Sequence, residues 1–136
     1  MSSFNACSLI LEENDFPIDF DLLSIDVDSN DLEIWESLTK YKPKIVIIEV
    51  NSDIGPDISQ IHNAKLGLEE NSFKSTLEVS KKKGYSPIVH TGNLILLKNK
   101  LLEKIKFDEN LLKNPKKLFI YDWVDEKKVN NPLIIK

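Results

Sequence analysis

Residues 20–31 read FDLLSIDVDSND. Leu22, Leu23 and Ile25 form a short apolar run, and Asp26, Asp28, Asn30 and Asp31 follow it as a cluster of carboxylates and amides. An apolar run of that length, bounded by polar residues, reads as a buried strand. A helical pattern begins directly behind it. In open α/β sheets, ligands bind at the carboxyl ends of the strands. The expected place for a site is therefore the end of this strand.

The helix behind it has Asn30 as N-cap, with Glu33 three residues on in a capping-box arrangement. Ile34, Trp35, Leu38 and Tyr41 fall on one helical stripe, which predicts a face packed on a sheet with Trp35 in the core. Pro43 closes the helix. Residues 44–50, KIVIIEV, have no alternation and predict a strand covered on both faces. This second strand also ends in polar groups, Glu49, Asn51, Ser52 and Asp53. Strand, helix and strand within about thirty residues make a right-handed βαβ unit.

Upstream, residues 4–14 predict a short helix with Cys7, Ile10 and Leu11 on its apolar face. Ser2 or Ser3 is its expected cap, and Asn14 with Pro17 its end. Cys7 has no cationic neighbour in sequence, so it reads as a packed thiol, not a reactive one.

Downstream, residues 52–71 predict a long loop containing Gly55, Pro56 and His62. Loops of that length are functional or disordered, and this one leaves the carboxyl end of a strand. His62 is either a solvated loop residue or a substrate contact. Residues 71–83 predict a helix with Phe73 and Leu77 inward, three lysines in its last turn and Gly84 at C′. Residues 85–90 and 94–97 flank Thr91, Gly92 and Asn93, which predicts an antiparallel hairpin. His90 ends its first strand and reads as structural. Leu101, Leu102 and Ile105 suggest a helical turn or two, and LFIYDWV at residues 118–124 a strand or extended arm.

The chain has 136 residues, about one domain, expected to span residues 1–136. Its net charge of −4 argues against a nucleic-acid surface. All 18 basic residues are lysine, so no guanidinium fork is available to clamp an anion. The single cysteine excludes an internal disulfide and a cysteine-based zinc site. No apolar stretch approaches a membrane span, and the first residues lack a basic leader, so a cytoplasmic location is expected. P-loop, HExxH and CxxC patterns are absent.

The ordered set DLLSIDVDSND, IWESLTKYKPKIVIIEVN and GYSPIVHTGNLILLKNKLL resembles the FkbM-type methyltransferases, which use S-adenosylmethionine (SAM). The matching positions are Asp26, Asp28, Ser29, Asn30, Asp31, Trp35, Pro43, Glu49 and Asn51. The resemblance implies a Rossmann-like α/β fold, a partial three-layer sheet of two parallel strands and an antiparallel hairpin. It also implies the sheet order 20-strand, 44-strand, 94-strand, 85-strand. Asp26 and Asp28 become candidate catalytic residues, and Asn30, Glu49, Asn51 and His62 candidate substrate contacts. The implied activity is methyl transfer from SAM to a small molecule or sugar.

Two departures stand out. Ser29 occupies a position where the family has Gly, which permits positive φ at no steric cost. The 19 residues before Phe20 also contain no glycine, so the Gly-rich turn that would hold SAM is expected to be missing. The competing reading is a non-catalytic truncated module acting in assembly. If the two parallel strands are adjacent, Asp26, Asp28, Glu49 and Asn51 converge as oxygen ligands for Mg²⁺ or Ca²⁺. Alternatively, strand alternation points only one of each pair inward. The absence of a preceding half also predicts an open edge at residues 20–26, and with it self-association or pairing with a separate N-terminal half, unless the first helix or the tail covers it.

Overall fold

The computed structural model describes residues 5–124. Four strands form one mixed sheet: β1 (Leu22–Ile25), β2 (Ile45–Glu49), β3 (Tyr85–His90) and β4 (Asn93–Lys98), in the order β1-β2-β4-β3. β1 and β2 are parallel, and β4 runs antiparallel to both β2 and β3. The expected strand order and hairpin are both present. The helices are α1 (Ala6–Glu13), α2 (Asp31–Ser37), α3 (Phe73–Lys83) and α4 (Glu109–Lys113). No helix among the described residues is long and apolar enough to cross a membrane.

The core sits on one face of the sheet. Val46 and Ile48 pair with Leu96 and Leu94 across β2 and β4, and all four are buried. Leu32 and Trp35 from α2, and Phe73 and Val79 from α3, pack on that face. Trp35 is 1% exposed and meets Tyr85 edge-on, so it is core, as expected. The Tyr85 hydroxyl donates to the Pro43 carbonyl at 2.6 Å and fixes the entry to β2. Burial pushes its pKa up to about 12.

The opposite face differs from expectation. Leu22 and Ser24 are exposed, and Ile45, Ile47 and Ile95 half-buried. Leu97, the register partner of Ile45 on this face, is buried, so the face is covered in part. β2 is therefore not covered equally on both faces, and β1 is a half-exposed edge strand and not a buried one. An unbroken run of β-branched residues marks a strand, but it does not report which face stays open.

α2 stops at Ser37, short of the expected Tyr41. Leu38 and Tyr41 are buried all the same, with Leu11 and Phe20 in a second cluster that Cys7 borders. Ile10 is 58% exposed and does not share the Cys7–Leu11 stripe as expected. The expected caps Ser2 and Ser3 lie outside the described residues. α3 starts at an Ser72 cap that accepts the Ser75 N–H, and it ends at Gly84 with φ 85°. Of its three terminal lysines, Lys81 and Lys82 are exposed, but Lys83 donates to the Leu38 carbonyl over the Trp35 ring. Burial lowers the Lys83 pKa.

The segment expected as a strand or extended arm at residues 118–124 is no strand: it runs through two short 3-10 turns, Pro115–Leu118 and Tyr121–Trp123, and packs on the domain. It is held by rings and not by a ladder. Phe119 stacks on His90 at 4.6 Å and meets Phe73 edge-on.

Candidate metal and substrate site

Register places Ile25 beside Ile48, so Asp26 and Glu49 leave the parallel pair side by side. Beyond β1 the backbone passes through Asp28 at φ 50° and Ser29 at φ 120°. Such φ values cost residues bearing a Cβ of order 1–3 kcal/mol each. Ser29 thus takes a conformation that glycine would take freely.

Asp31 holds this turn. Its carboxylate accepts the Val27 and Ser29 backbone N–H groups, both at 3.1 Å. The expected capping box does not form, because the Asn30 side chain makes no cap bond. Two donors from the turn have the Asp31 carboxylate as acceptor, and helix α2 starts behind it. From the other side, Asn71 Nδ2 donates to the Ser29 carbonyl at 3.0 Å. Asp31 and Asn71 are both buried, so the turn is clamped between β1 and the long loop.

The result is a group of acids. One carboxylate oxygen from each of Asp26, Asp28 and Glu49 lies within 4.8 Å of the other two. Asp26 and Asp28 are exposed and Glu49 is half-buried. Glu49 Oε2 is itself buried and has no hydrogen-bond partner. Burial, and after it the charges of Glu70, Asp26, Asp31 and Asp28, together raise the Glu49 pKa to about 7. The ion pairs among the described residues, Lys40–Glu12, Lys44–Asp21 and Lys116–Asp57, do not reach these three acids. Three convergent carboxylates, one of them with an unpartnered buried oxygen, suit a hard divalent cation that keeps several waters.

The other expected contacts have different surroundings. Asn51 is buried: its Oδ1 accepts the Asp53 N–H at 3.1 Å and its Nδ2 donates to the Glu69 carbonyl at 3.4 Å. Its amide holds the long loop. Asn30 is exposed. The His62 backbone N–H donates to Asn71 Oδ1 at 2.9 Å, while its ring Nδ1 is buried without a partner. The loop itself is well anchored. The Gln60 side-chain amide donates to the Glu69 carbonyl at 2.8 Å, the Ser72 N–H donates to the Gln60 carbonyl at 2.9 Å, and the Gln60 N–H donates to Ser72 Oγ at 2.9 Å.

His90 and Ser52 are 2.9 Å apart, yet they are not a base and nucleophile. His90 Nδ1 accepts the Ile120 N–H at 2.9 Å, so the ring proton sits on Nε2 and is donated to Ser52 Oγ. Burial lowers the His90 pKa and keeps the ring neutral. Its role is to fasten the segment after α4, in agreement with the structural reading from sequence.

Gly55, Gly67, Gly84 and Gly92 are the chain's only glycines, and none lies in the turn after β1. That turn is instead filled by carboxylates. No family model, curated protein or solved structure matches this chain.

Proposed function

We propose that this chain is the substrate-facing part of a Rossmann-like methyltransferase, with Asp26, Asp28 and Glu49 holding a divalent cation that gathers hydroxyl oxygens of a small molecule or sugar. The observation that carries the reading is the convergence of these three carboxylates at the carboxyl ends of β1 and β2. Two features support it: the strand order expected from the resemblance, and the positive φ of Ser29 where the family has glycine.

In this reading a bound cation supplies positive charge that orients and acidifies a substrate hydroxyl. Glu49 is the buried anchor. Asp26 and Asp28 face outward, complete the cation's protein ligands and stand ready to take the hydroxyl proton. Asp31 and Asn71 position the turn that carries Asp28. The methyl donor is held by residues other than these.

Saturation-transfer NMR with a panel of sugars and vicinal diols tests the proposal. Signals that require Mg²⁺, and that disappear in Asp26→Asn or Asp28→Asn, support it. Signals indifferent to Mg²⁺ overturn it.

A further inference from the structure

We propose that the cleft between α3, β3 and α4 binds a small amphipathic anion, an apolar body that ends in a carboxylate. The cleft has a volume of about 510 Å³. Small-molecule sites span roughly 300–1,000 Å³ and combine an apolar lining with a few convergent polar groups. This cleft lies away from the acidic site. Ser86 pairs with Leu97 and Leu97 with Ile45, so β3 begins level with the start of β2, whereas Glu49 ends β2. The inference therefore does not depend on the cation reading.

The lining divides by chemistry. Leu77, Pro87, Leu112 and Pro115 are buried or half-buried and supply apolar surface. Lys74 and Lys81 reach the cleft from α3 and Lys113 from α4, all three exposed. Lys74 donates to the Asp57 carbonyl at 3.4 Å. The ion pairs among the described residues involve neither Lys81 nor Lys113. Glu78 brings one negative charge against these three lysines. It stands about one turn from both Lys74 and Lys81, so its charge is met on α3 itself. Lys113, on the other wall, is left for a ligand.

Hydrogen-bonding capacity points the same way. The Ser86 hydroxyl donates to Asn99 Oδ1 at 2.6 Å, which occupies that acceptor and leaves the Asn99 Nδ2 donors for a ligand. The Ser80 hydroxyl donates to the Leu77 carbonyl at 2.8 Å. The lysines and the Asn99 amide are donors, so the ligand that fits them accepts hydrogen bonds and carries negative charge. Lysine meets an anion as a point charge, which suits a compact group such as carboxylate. An inorganic anion would leave the apolar lining in water, so an apolar body accompanies the charge. An added strand does not fit. β3 is an edge strand, but Pro87 offers no N–H there, and the β3–β4 register shifts between Pro87 and Val89.

The probe is naphthaleneacetate, titrated into the full chain and followed by NMR shifts. Binding tighter than about 1 mM is expected, with shifts at Leu77, Ser86, Asn99 and Leu112. The neutral naphthaleneacetamide is expected to bind about threefold more weakly or worse, and the cationic naphthalenemethylamine more weakly still. Lys81→Gln and Lys113→Gln change exposed side chains and keep the fold. Each is expected to weaken the carboxylate about two- to fivefold and to leave the neutral analogue unchanged. Absence of shifts in the cleft up to about 1 mM ligand, or shifts centred elsewhere, would overturn the proposal. So would equal binding of the carboxylate and its neutral analogue, or carboxylate binding that both lysine variants leave unchanged.

Discussion

The Asp31 carboxylate accepts the Ser29 backbone N–H at 3.1 Å while Ser29 sits at φ 120°. The candidate site depends on that relationship, because it bends the chain so that Asp28 returns toward Glu49. Ser29→Gly removes the Cβ strain and adds chain entropy to the unfolded state. The expected net effect is a gain of about 1 kcal/mol in denaturant unfolding. Asp31→Ala removes the acceptor of two N–H groups and is expected to cost about 2 kcal/mol. A neutral Asp31→Ala would mean that the turn is held by Asn71 alone.

His90 ties the segment after α4 to the sheet through Ile120 and Ser52. Its folded pKa lies below the ordinary value of 6.5 because the ring is buried. Between those two values the unfolded chain binds more protons than the folded one. Stability from this group is therefore complete above pH 6.5 and is lost as pH falls through the lowered folded value. In a Glu49→Gln background, where the opposing titration of Glu49 is removed, acidification from pH 7 to 5 should lower the melting temperature and alter Trp123 fluorescence, since Trp123 lies against the His90 ring. In His90→Gln this part of the pH response should vanish.

Glu49 acts in the opposite direction. Its pKa rises from 4.5 to about 7 on folding, so the folded state holds its proton more tightly. Stability from this group is present at low pH and falls as pH rises from 4.5 to 7. Glu49→Gln should be more stable than the unaltered chain at pH 8, and less different from it at pH 5. Denaturant melts at the two pH values read this directly. A Glu49→Gln that loses stability equally at both would mean that its carboxylate has a partner.

Isothermal titration with SAM is expected to show no binding tighter than ~1 mM, because the turn after β1 is filled with carboxylates and no glycine lies there. Micromolar affinity would place a cofactor cradle within this chain.

Much of this was legible in the sequence. The β-branched run of residues 45–48 and the Gly92 turn announced β2 and the hairpin, because strand propensity and positive φ are local properties. The acidic ends of β1 and β2 were visible for the same reason. The part played by Asp31 was not. Asn30 and Asp31 are adjacent polar residues, and only the positive φ of Asp28 and Ser29 decides which one turns inward. Asn71 is more than forty residues from the turn it braces, and no local pattern reports such a contact. Alternation of Phe119, Tyr121 and Trp123 suggests a strand or a packed extended arm, and of these the strand does not form. That alternation serves ring contacts with Phe73 and His90. The uneven cover of the two sheet faces is not local information, because burial of a strand depends on what lies over it.

The most direct test of the cation reading is a calorimetric titration with Mg²⁺ at pH 8, where Glu49 is largely ionised. The account predicts a single site in the ~0.1–1 mM range, typical of exposed oxygen sites. It predicts loss of that site when Asp26→Asn and Asp28→Asn are combined, and also in Glu49→Gln. Absence of Mg²⁺ binding in this range, or binding that persists in the double variant, would contradict the claim that these three carboxylates form one cation site.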